Sequence, residues 1–491
     1  MLKKLPLYLL LVCAAVMVAT SCKKNDDDTS SSTTVYSNSR TTTQVMKFYI
    51  KANADVMENL DSVFFTIDPD RSIIYNADSL PVNTKVTGLV PSVTFASSVR
   101  SVVFSVTGGT ARKDTTFTYR STVNDSIDFT GFVTMAVTSS DGTSVHNYEV
   151  KVNVHKVNPD SLVWPQQWRR SLPGNGVSER KTVFYSGRFV TLAKEESQYM
   201  LYATGSPLQG TWESQPMPFE PAVESFSSTT DNLYVLDKNG NLFESSDGLE
   251  WNAAGVTWYS VLGGYGSRLL GVMRDGDEFL YDEYPRPDGY ITKMVDADFP
   301  VRDASQLVEM DNTWSVHAQA LLAGGTTASG KNSAAVWGYD GKLWAQISRD
   351  NKLPALRNAT LLCYYSYKKR TGTARSFKNP TWLVMGGRTT DGLLNNKVYA
   401  STDQCITWDE AATSMQLPAY VVGFWGAQAF VIEEDVSATS AQAPRFAAPV
   451  QPVTSWKCPY VYLLGGYGQD GTPLDYMWRG VLNRLMFKPL Y

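Results

Sequence analysis

Histidine is scarce in this chain: His146, His155 and His317 are the only three among 491 residues. A multi-histidine metal centre, or a choice of Ser-His-Asp triads, is therefore excluded by count. One triad built on His317 remains conceivable, but no G-x-S-x-G elbow accompanies it, and His317 is read as a structural residue. Cysteine is nearly as rare. Cys13 and Cys22 fall in the first 22 residues, leaving Cys363, Cys405 and Cys458. Three thiols allow one disulfide at most and no cysteine framework. They are read as small buried hydrophobes, with any pairing left open. Paired CxxC motifs, glycine-rich phosphate loops and EF-hand loops are missing, and no cofactor, metal or catalytic residue is assigned. Basic residues show no excess either, with 44 Lys and Arg against 48 Asp and Glu. Phosphate backbones need such an excess, so nucleic acid is not an expected partner.

Long apolar runs are confined to the start. Lys3 and Lys4 precede an apolar stretch from Leu5 to Ala19, which is shorter than the ~20 residues a spanning helix needs. This reads as a signal peptide over residues 1–21. The ending Ala19-Thr20-Ser21-Cys22 resembles a bacterial lipobox, with Ala19 where leucine is usual. Cys22 would then become the lipidated N-terminus and hold the protein on the outer membrane. Asp26-Asp27-Asp28 resembles the acidic tract that accompanies cell-surface display in Bacteroidetes lipoproteins. The Ser- and Thr-rich run from Thr29 to Thr43 is expected to be a flexible stalk, so that residues 22–44 form the tether.

What is abundant is β-pattern. Aromatics are 12% of the chain, and 35 glycines and 23 prolines supply turns, as in globular β-rich domains. Between residues 45 and 157 apolar residues recur with period two. The candidate strands are Val45 to Ile50, Asp61 to Ile67, Ser101 to Val106, Thr115 to Tyr119, Phe132 to Thr138 and Tyr148 to Val154. Gly108-Gly109 ends the third of these, and Asp141-Gly142 supplies a hairpin turn before the last. About seven short strands in roughly 110 residues predict an immunoglobulin-like or cadherin-like β-sandwich. Residues 158–170, with prolines at 159 and 165, read as a stiff linker.

Two runs carry a family resemblance: Phe64 to Leu80, FFTIDPDRSIIYNADSL, and Val137 to Leu162, VTSSDGTSVHNYEVKVNVHKVNPDSL. They are similar to a family of Bacteroidetes lipoproteins of unknown function, over nearly the whole mature chain. The resemblance implies such a sandwich joined to a kelch-like β-propeller, and it implies no activity.

The residues of the C-terminal part agree with that architecture. Hairpins begin near Arg188, Leu233, Leu269, Ala320, Trp382 and Val461, irregularly spaced around the ~50 residues of a kelch-type blade. Trp212, Trp251, Trp344 and Trp408 end four of them, behind Tyr202, Phe243, Trp337 and Tyr399. Trp478 and Phe487 are the counterparts in the sixth, and the third hairpin lacks its tryptophan. Gly324-Gly325, Gly386-Gly387 and Gly465-Gly466 close hairpin strands, while Gly263-Gly264 is out of register. Ser401 to Trp408 resembles an Asp-box with Cys405 in place of glycine, and Ser245 to Trp251 is a shorter relative. These are read as folding devices. Glu433 to Ser455 reads as an inserted loop. The expectation is an all-β chain, a sandwich followed by a six-bladed kelch-like propeller over residues 171–491. The ring would be closed by Leu162 to Arg170 pairing as an outer strand of the sixth blade.

Function is open between two readings. Loop aromatics, with an arginine, are the candidate binding residues: Tyr265, Tyr284, Arg286, Tyr365, Trp425 and Tyr467. They suit a monomeric surface lipoprotein that binds a glycan or a protein through its propeller loops. The second reading is a polysaccharide hydrolase or lyase using an Asp/Glu pair in the propeller funnel. A sialidase is not expected, because the Arg-Ile-Pro motif is absent and Tyr284-Pro285-Arg286-Pro287 stands in the wrong blade.

Overall fold

The computed structural model describes residues 42–111, 114–196, 198–311, 316–348, 352–369, 376–437 and 454–487. The signal segment, Cys22 and most of the expected stalk lie outside the described residues. Among the described residues no helix is long and apolar enough to cross a membrane. The chain divides into two compact units, residues 1–77 with 85–152 and residues 78–84 with 153–491.

The first unit is built from two sheets. Val45–Ile50 pairs antiparallel with Pro91–Phe95. The second sheet runs in the order Thr66–Asp68, Ile73–Tyr75, Val145–Lys151, Phe132–Ser139, Val99–Thr107, Asp114–Thr118. Ile73–Tyr75 and Val145–Lys151 are parallel. Period-two alternation does the packing: Val133, Met135 and Val137 turn inward, each at most 1% exposed. Phe48 meets Phe65 edge-to-face at 5.0 Å, and the Val45 amide donates to the Tyr148 hydroxyl, joining the sheets. Two expectations change here. The strand drawn over Asp61 to Ile67 is a 3-10 turn, Leu60–Ser62, followed by Thr66–Asp68, because Asn59 takes a left-handed φ of 56° and turns the chain. Ile73–Tyr75 and Pro91–Phe95 were not legible, being too short or proline-led to show a period.

Among the described residues the second unit contains six antiparallel sheets of four or five strands and one small sheet pairing Pro300–Arg302 with Thr326–Thr327. The first strands of the six are Val177–Tyr185, Pro221–Ser228, Ser260–Tyr265, Val308–Met310, Thr360–Lys369 and Gln428–Ser437. Each packs on the next in that order, the fourth through the short strand Pro300–Arg302, and the sixth packs back on the first. The sheets thus follow one another around a closed ring. The Thr182 amide donates to Gln428 Oε1 across the closing seam at 3.1 Å.

The anchors read from sequence all fall in second strands: Arg188–Glu195, Leu233–Asp237, Arg268–Asp275, Gln319–Ala323, Ser376–Met385 and Ser455–Leu464. Tyr202, Phe243, Trp337 and Tyr399 lie in third strands, and the four tryptophans stand just before or at the start of fourth strands. The glycine pairs end second strands with both φ angles positive, at 65° and 103°, 63° and 87°, and 59° and 87°. At Gly324 a β-carbon would come 2.3 Å from Leu356 O, so only glycine fits.

The sixth sheet closes with chain from before the ring. Leu162 and Val163 pair with Leu482 and Val481, and Arg170 and Ser171 pair with Met477 and Tyr476. Two details differ from the sequence reading. Phe487 does not occupy the fourth-strand aromatic place; it follows a short helix, Asn483–Met486, and stacks on His155 at 5.4 Å. Trp164, fully buried, fills the sixth sheet instead. Glu433 to Ser437 is not loop but the end of the first strand, with Glu433 opposite Pro459 and Ser437 opposite Ser455. Residues 438–453 lie outside the described residues.

The Asp-box behaves as a folding device. Asp403 Oδ1 accepts the Ser401 hydroxyl at 2.8 Å and the Thr407 amide at 3.0 Å, and Oδ2 accepts the Thr407 hydroxyl at 2.6 Å. Trp408 is buried and donates its indole N–H to Cys405 O. Asp247 accepts the Leu249 and Glu250 amides in the same way, ahead of Trp251. Cys363, Cys405 and Cys458 are free thiols, the last two fully buried.

Candidate functional site

The first strands and the segments leading into them enclose a cavity of about 480 Å³ on the ring axis, lined by four of the sheets and by the chain leading into the other two. Glu179 and Lys181 come from the first sheet and Glu224 from the second. Tyr259 and Ser260 enter from the third, and Arg302, Asp303 and Gln306 from the chain leading to the fourth. Asn358 precedes the fifth, and Trp425 and Gln428 belong to the sixth.

The rim is held by bonds that run between sheets. Gln306 spans from the fourth to the sixth, accepting the Ala429 amide at 2.9 Å and donating to Ala429 O. Asn358 donates its amide to Asp303 O at 2.6 Å and accepts the Gly426 amide at 2.8 Å. Asp303 and Asn358 both hold left-handed φ angles, 55° and 51°, a conformation that short polar side chains tolerate.

The cavity's charges are unequal in what they already touch. Arg180 is buried and committed, donating to Asp475 Oδ1 at 2.8 Å and to Pro173 O at 2.6 Å. Glu179 is paired with Lys194 at 2.9 Å. Asp303 accepts the Thr326 hydroxyl at 3.0 Å, with Arg302 at 3.9 Å. Lys181 donates to the backbone oxygen of Glu224 at 2.7 Å. Its side chain keeps some contact with channel solvent, yet protein surrounds it around the ring. That burial pushes the amine down to about 8, opposed in part by the Glu224 carboxylate.

Of the candidates named from sequence, the structure brings Trp425 and Tyr467 into this cavity. Their rings stack at 4.5 Å and 25°, and their backbones form an isolated bridge. Arg388 lies 4.5 Å from the Trp425 ring centre, and the Arg180 amide donates to the Tyr467 hydroxyl at 3.1 Å. The other four stand elsewhere. Tyr265 is nearly buried, donates to Ala318 O and packs on Tyr339. Tyr284 donates to Glu244 at 3.2 Å, and Arg286 grips the buried Asp282 carboxylate with two bonds of 2.8 Å. Tyr365 is half-buried on the fifth sheet's first strand, outside the cavity lining. His317 is exposed beside the strand Gln319–Ala323. Among the described residues no three His, Cys, Asp or Glu side chains gather as a metal site.

Sequence reasoning did not single out Glu179, Lys181, Glu224 or Gln306. The hairpin alignment started at second strands, so the axial strands preceding them were never read. A signal was present: charged residues stand in mid-strand at Glu179 to Lys181 and at Glu224.

Residues 158–490 match the model of the DUF6242 beta propeller domain, and residues 34–152 match the N-terminal domain of the same family, a domain of unknown function. The chain belongs to the DUF6242 family. The ring of sheets is accordingly the family's β-propeller, within an all-β chain. No curated protein matches the sequence. Among solved structures, the chain is similar to the alpha-L-arabinofuranosidase Arb93A from Fusarium graminearum bound to an iminosugar inhibitor. The identity is 11%, coverage 67% of this chain and 99% of that one, and the TM-score 0.30. YCF48 bound to D1 peptide shares 11% identity over 73% and 90% of the two chains, with a TM-score of 0.27. PorZ, a surface component of the type-IX secretion system of Porphyromonas gingivalis, shares 9% identity over 78% and 64%, with a TM-score of 0.16. At these scores nothing about activity carries over to the DUF6242 chain.

Proposed function

We propose that this DUF6242 protein is a surface-anchored lipoprotein that binds a glycan in the axial cavity of its propeller without transforming it. The carrying observation is the cavity itself: a space of about 480 Å³ in which fixed aromatic rings and convergent polar groups meet. Small-ligand sites are concave and of this order of volume, roughly 300–1,000 Å³, whereas a protein partner needs a broad face. A sugar ring asks for what the lining offers, apolar ring surface at Tyr259, Trp425 and Tyr467 beside amide, carbonyl, carboxylate and ammonium groups.

Three finer features complete the reading. The six sheets are six kelch-like blades, and the N-terminal unit is an immunoglobulin-like spacer. Lipidation at Cys22 tethers the chain to the outer membrane, with Asp26 to Asp28 directing it to the cell surface. The glycine pairs closing three second strands support the first, the two packed sheets the second, and the leader's residue pattern the third.

A second reading is favoured by one observation: three carboxylates, Glu179, Glu224 and Asp303, line the same space. Such a set suits hydrolysis or elimination of a polysaccharide. Incubation with a glycan panel, read for both binding and product release, separates the two. Saturable binding with intact glycan supports the proposal, and release of reducing ends that is lost in Glu224→Gln overturns it in favour of the enzyme.

A further inference from the structure

Resting on the glycan reading above, we infer that the axial cavity selects a saccharide bearing an isolated carboxylate, a uronic acid residue, with Lys181 as the group that pairs with it. Three side chains in the lining are cationic, and two of them have a carboxylate oxygen at ion-pair distance. Arg180 is bonded to Asp475 at 2.8 Å, and Arg302 lies 3.9 Å from Asp303. Lys181 is different. Among the described residues its side chain makes one hydrogen bond, to the uncharged backbone oxygen of Glu224, and forms no ion pair. An ammonium has three donors, so two remain for the channel. A partly buried cation that faces the channel with no carboxylate at ion-pair distance is open to pairing, and a ligand carboxylate supplies the partner.

The same lining limits how much negative charge the ligand can bring. Glu179 flanks Lys181 on its own strand, Glu224 acts on it from the second sheet, and Asp303 lines the same cavity. A densely sulfated or polyanionic ligand would set its remaining charges against these three. A uronate offers one carboxylate on a ring otherwise made of hydroxyls, with ring faces for Tyr259 and the Trp425–Tyr467 stack.

The pairing has a pH limit. The charged and titratable groups around Lys181 are Glu179 and Arg180 on its strand, Glu224 on the second sheet, Tyr259 on the third, Arg302 and Asp303 before the fourth, and Tyr467 beside the sixth. Burial holds the Lys181 amine near 8, so the ammonium form that pairs with carboxylate is lost as pH rises through that value. Uronate carboxylates stay ionised throughout this range, so the loss falls on the protein side alone.

The test is calorimetric titration of the full chain with uronate di- to tetrasaccharides, their methyl esters, and sulfated oligosaccharides of equal length, at pH 6.5 and 9.5. The acids are expected to bind about tenfold more tightly than their esters at pH 6.5, the scale of a charge-assisted contact, and to lose most of that preference at pH 9.5. Lys181→Gln should abolish the preference at both pH values, and Lys181→Arg should keep it at both, with thermal unfolding confirming that each variant is folded. Equal binding of acids and esters by the wild-type protein overturns the role of Lys181 while leaving glycan binding in place. Tighter binding of the sulfated set overturns the carboxylate assignment. Binding of no saccharide in any arm overturns this inference and the glycan reading together.

Discussion

Trp164 and Gly480 are packed so closely that a β-carbon at position 480 would stand 2.7 Å from the indole ring. Trp164 enters from before the first sheet and Gly480 lies in the last long strand, so this contact fastens the two ends of the ring. The third sheet repeats the device: at Gly271 a β-carbon would meet the Trp258 ring at 2.3 Å. Trp258 therefore fills the place in the third sheet where the hairpin alone shows no tryptophan.

Trp164→Ala is expected to destabilise the propeller by about 3–5 kcal/mol, the cost of emptying a large buried aromatic site. Gly480→Ala should cost about 1–3 kcal/mol through overpacking. The double variant should fall short of the sum, because the alanine at 480 then has room. Chemical denaturation of the three proteins checks this, and simple additivity would argue that the ring and the glycine are not coupled.

Asp403→Asn should lower stability by about 1–3 kcal/mol at neutral pH through loss of charge-assisted turn bonds. Burial alone would raise the Asp403 carboxyl, but the bonds from Thr407 and Ser401 outweigh it and hold it below the ordinary carboxylate range. A depressed acid stabilises the fold above its unfolded value near 3.9, and that contribution is lost as pH falls through the folded value. The gap between wild type and variant should therefore narrow under acid denaturation, and a gap constant down to the acid transition would contradict the argument.

Cys405 occupies the Asp-box position usually held by glycine, and its φ is 67°. Cys405→Gly removes roughly 1 kcal/mol of left-handed strain and about as much buried contact, so it should lie within about 1 kcal/mol of wild type. Cys405→Ala keeps the strain and loses the sulfur, and should be about 1–2 kcal/mol less stable. Urea midpoints rank the three. Burial also pushes the thiol well above its ordinary value, so alkylation of native protein at Cys405 should be undetectable beside the unfolded control.

How much of this was legible follows from where a residue's signal lies. Second and third strands carry long apolar-aromatic runs, such as Leu383 with Tyr399, and these showed in the sequence as hairpins. The Asp-box and glycine pairs were readable because their geometry is local: Asp403 bonds residues within four positions, and Gly386 needs its own φ. The ring closure was also expected, from Leu162 to Arg170 as an outer strand that covers a free edge. The first strands were not read, because polar residues lining the axis break the apolar pattern that marks a packed strand. Lys181 and Glu224, 43 positions apart, meet only when the first two sheets pack. Tyr265 and Tyr284 show the opposite case. Loop-like sequence suggested exposure, but each hydroxyl is bonded inside the fold.

Lys181 should itself show in stability. Its folded value, about 8, lies below the unfolded value near 10.4, so the buried ammonium weakens the fold at neutral pH. That penalty is relieved as pH rises from 8 towards 10.4, where the folded protein has released a proton the unfolded chain still holds. Lys181→Met should thus be more stable than wild type at pH 7, with an advantage that shrinks by pH 10. A variant less stable at pH 7, or an advantage independent of pH, would show that the amine is well solvated.

The central claim is that ligand enters the axis of the propeller, and a side chain that fills the axis tests it most directly. Glu224 projects from the second sheet's first strand and is exposed, so tryptophan there occupies channel space without disturbing the packed core. Titration of the best-binding saccharide into Glu224→Trp should give no heat of binding while the melting temperature stays at the wild-type value, and Glu224→Gln should still bind. Undiminished binding to a folded Glu224→Trp would place the ligand outside the axis and contradict the account.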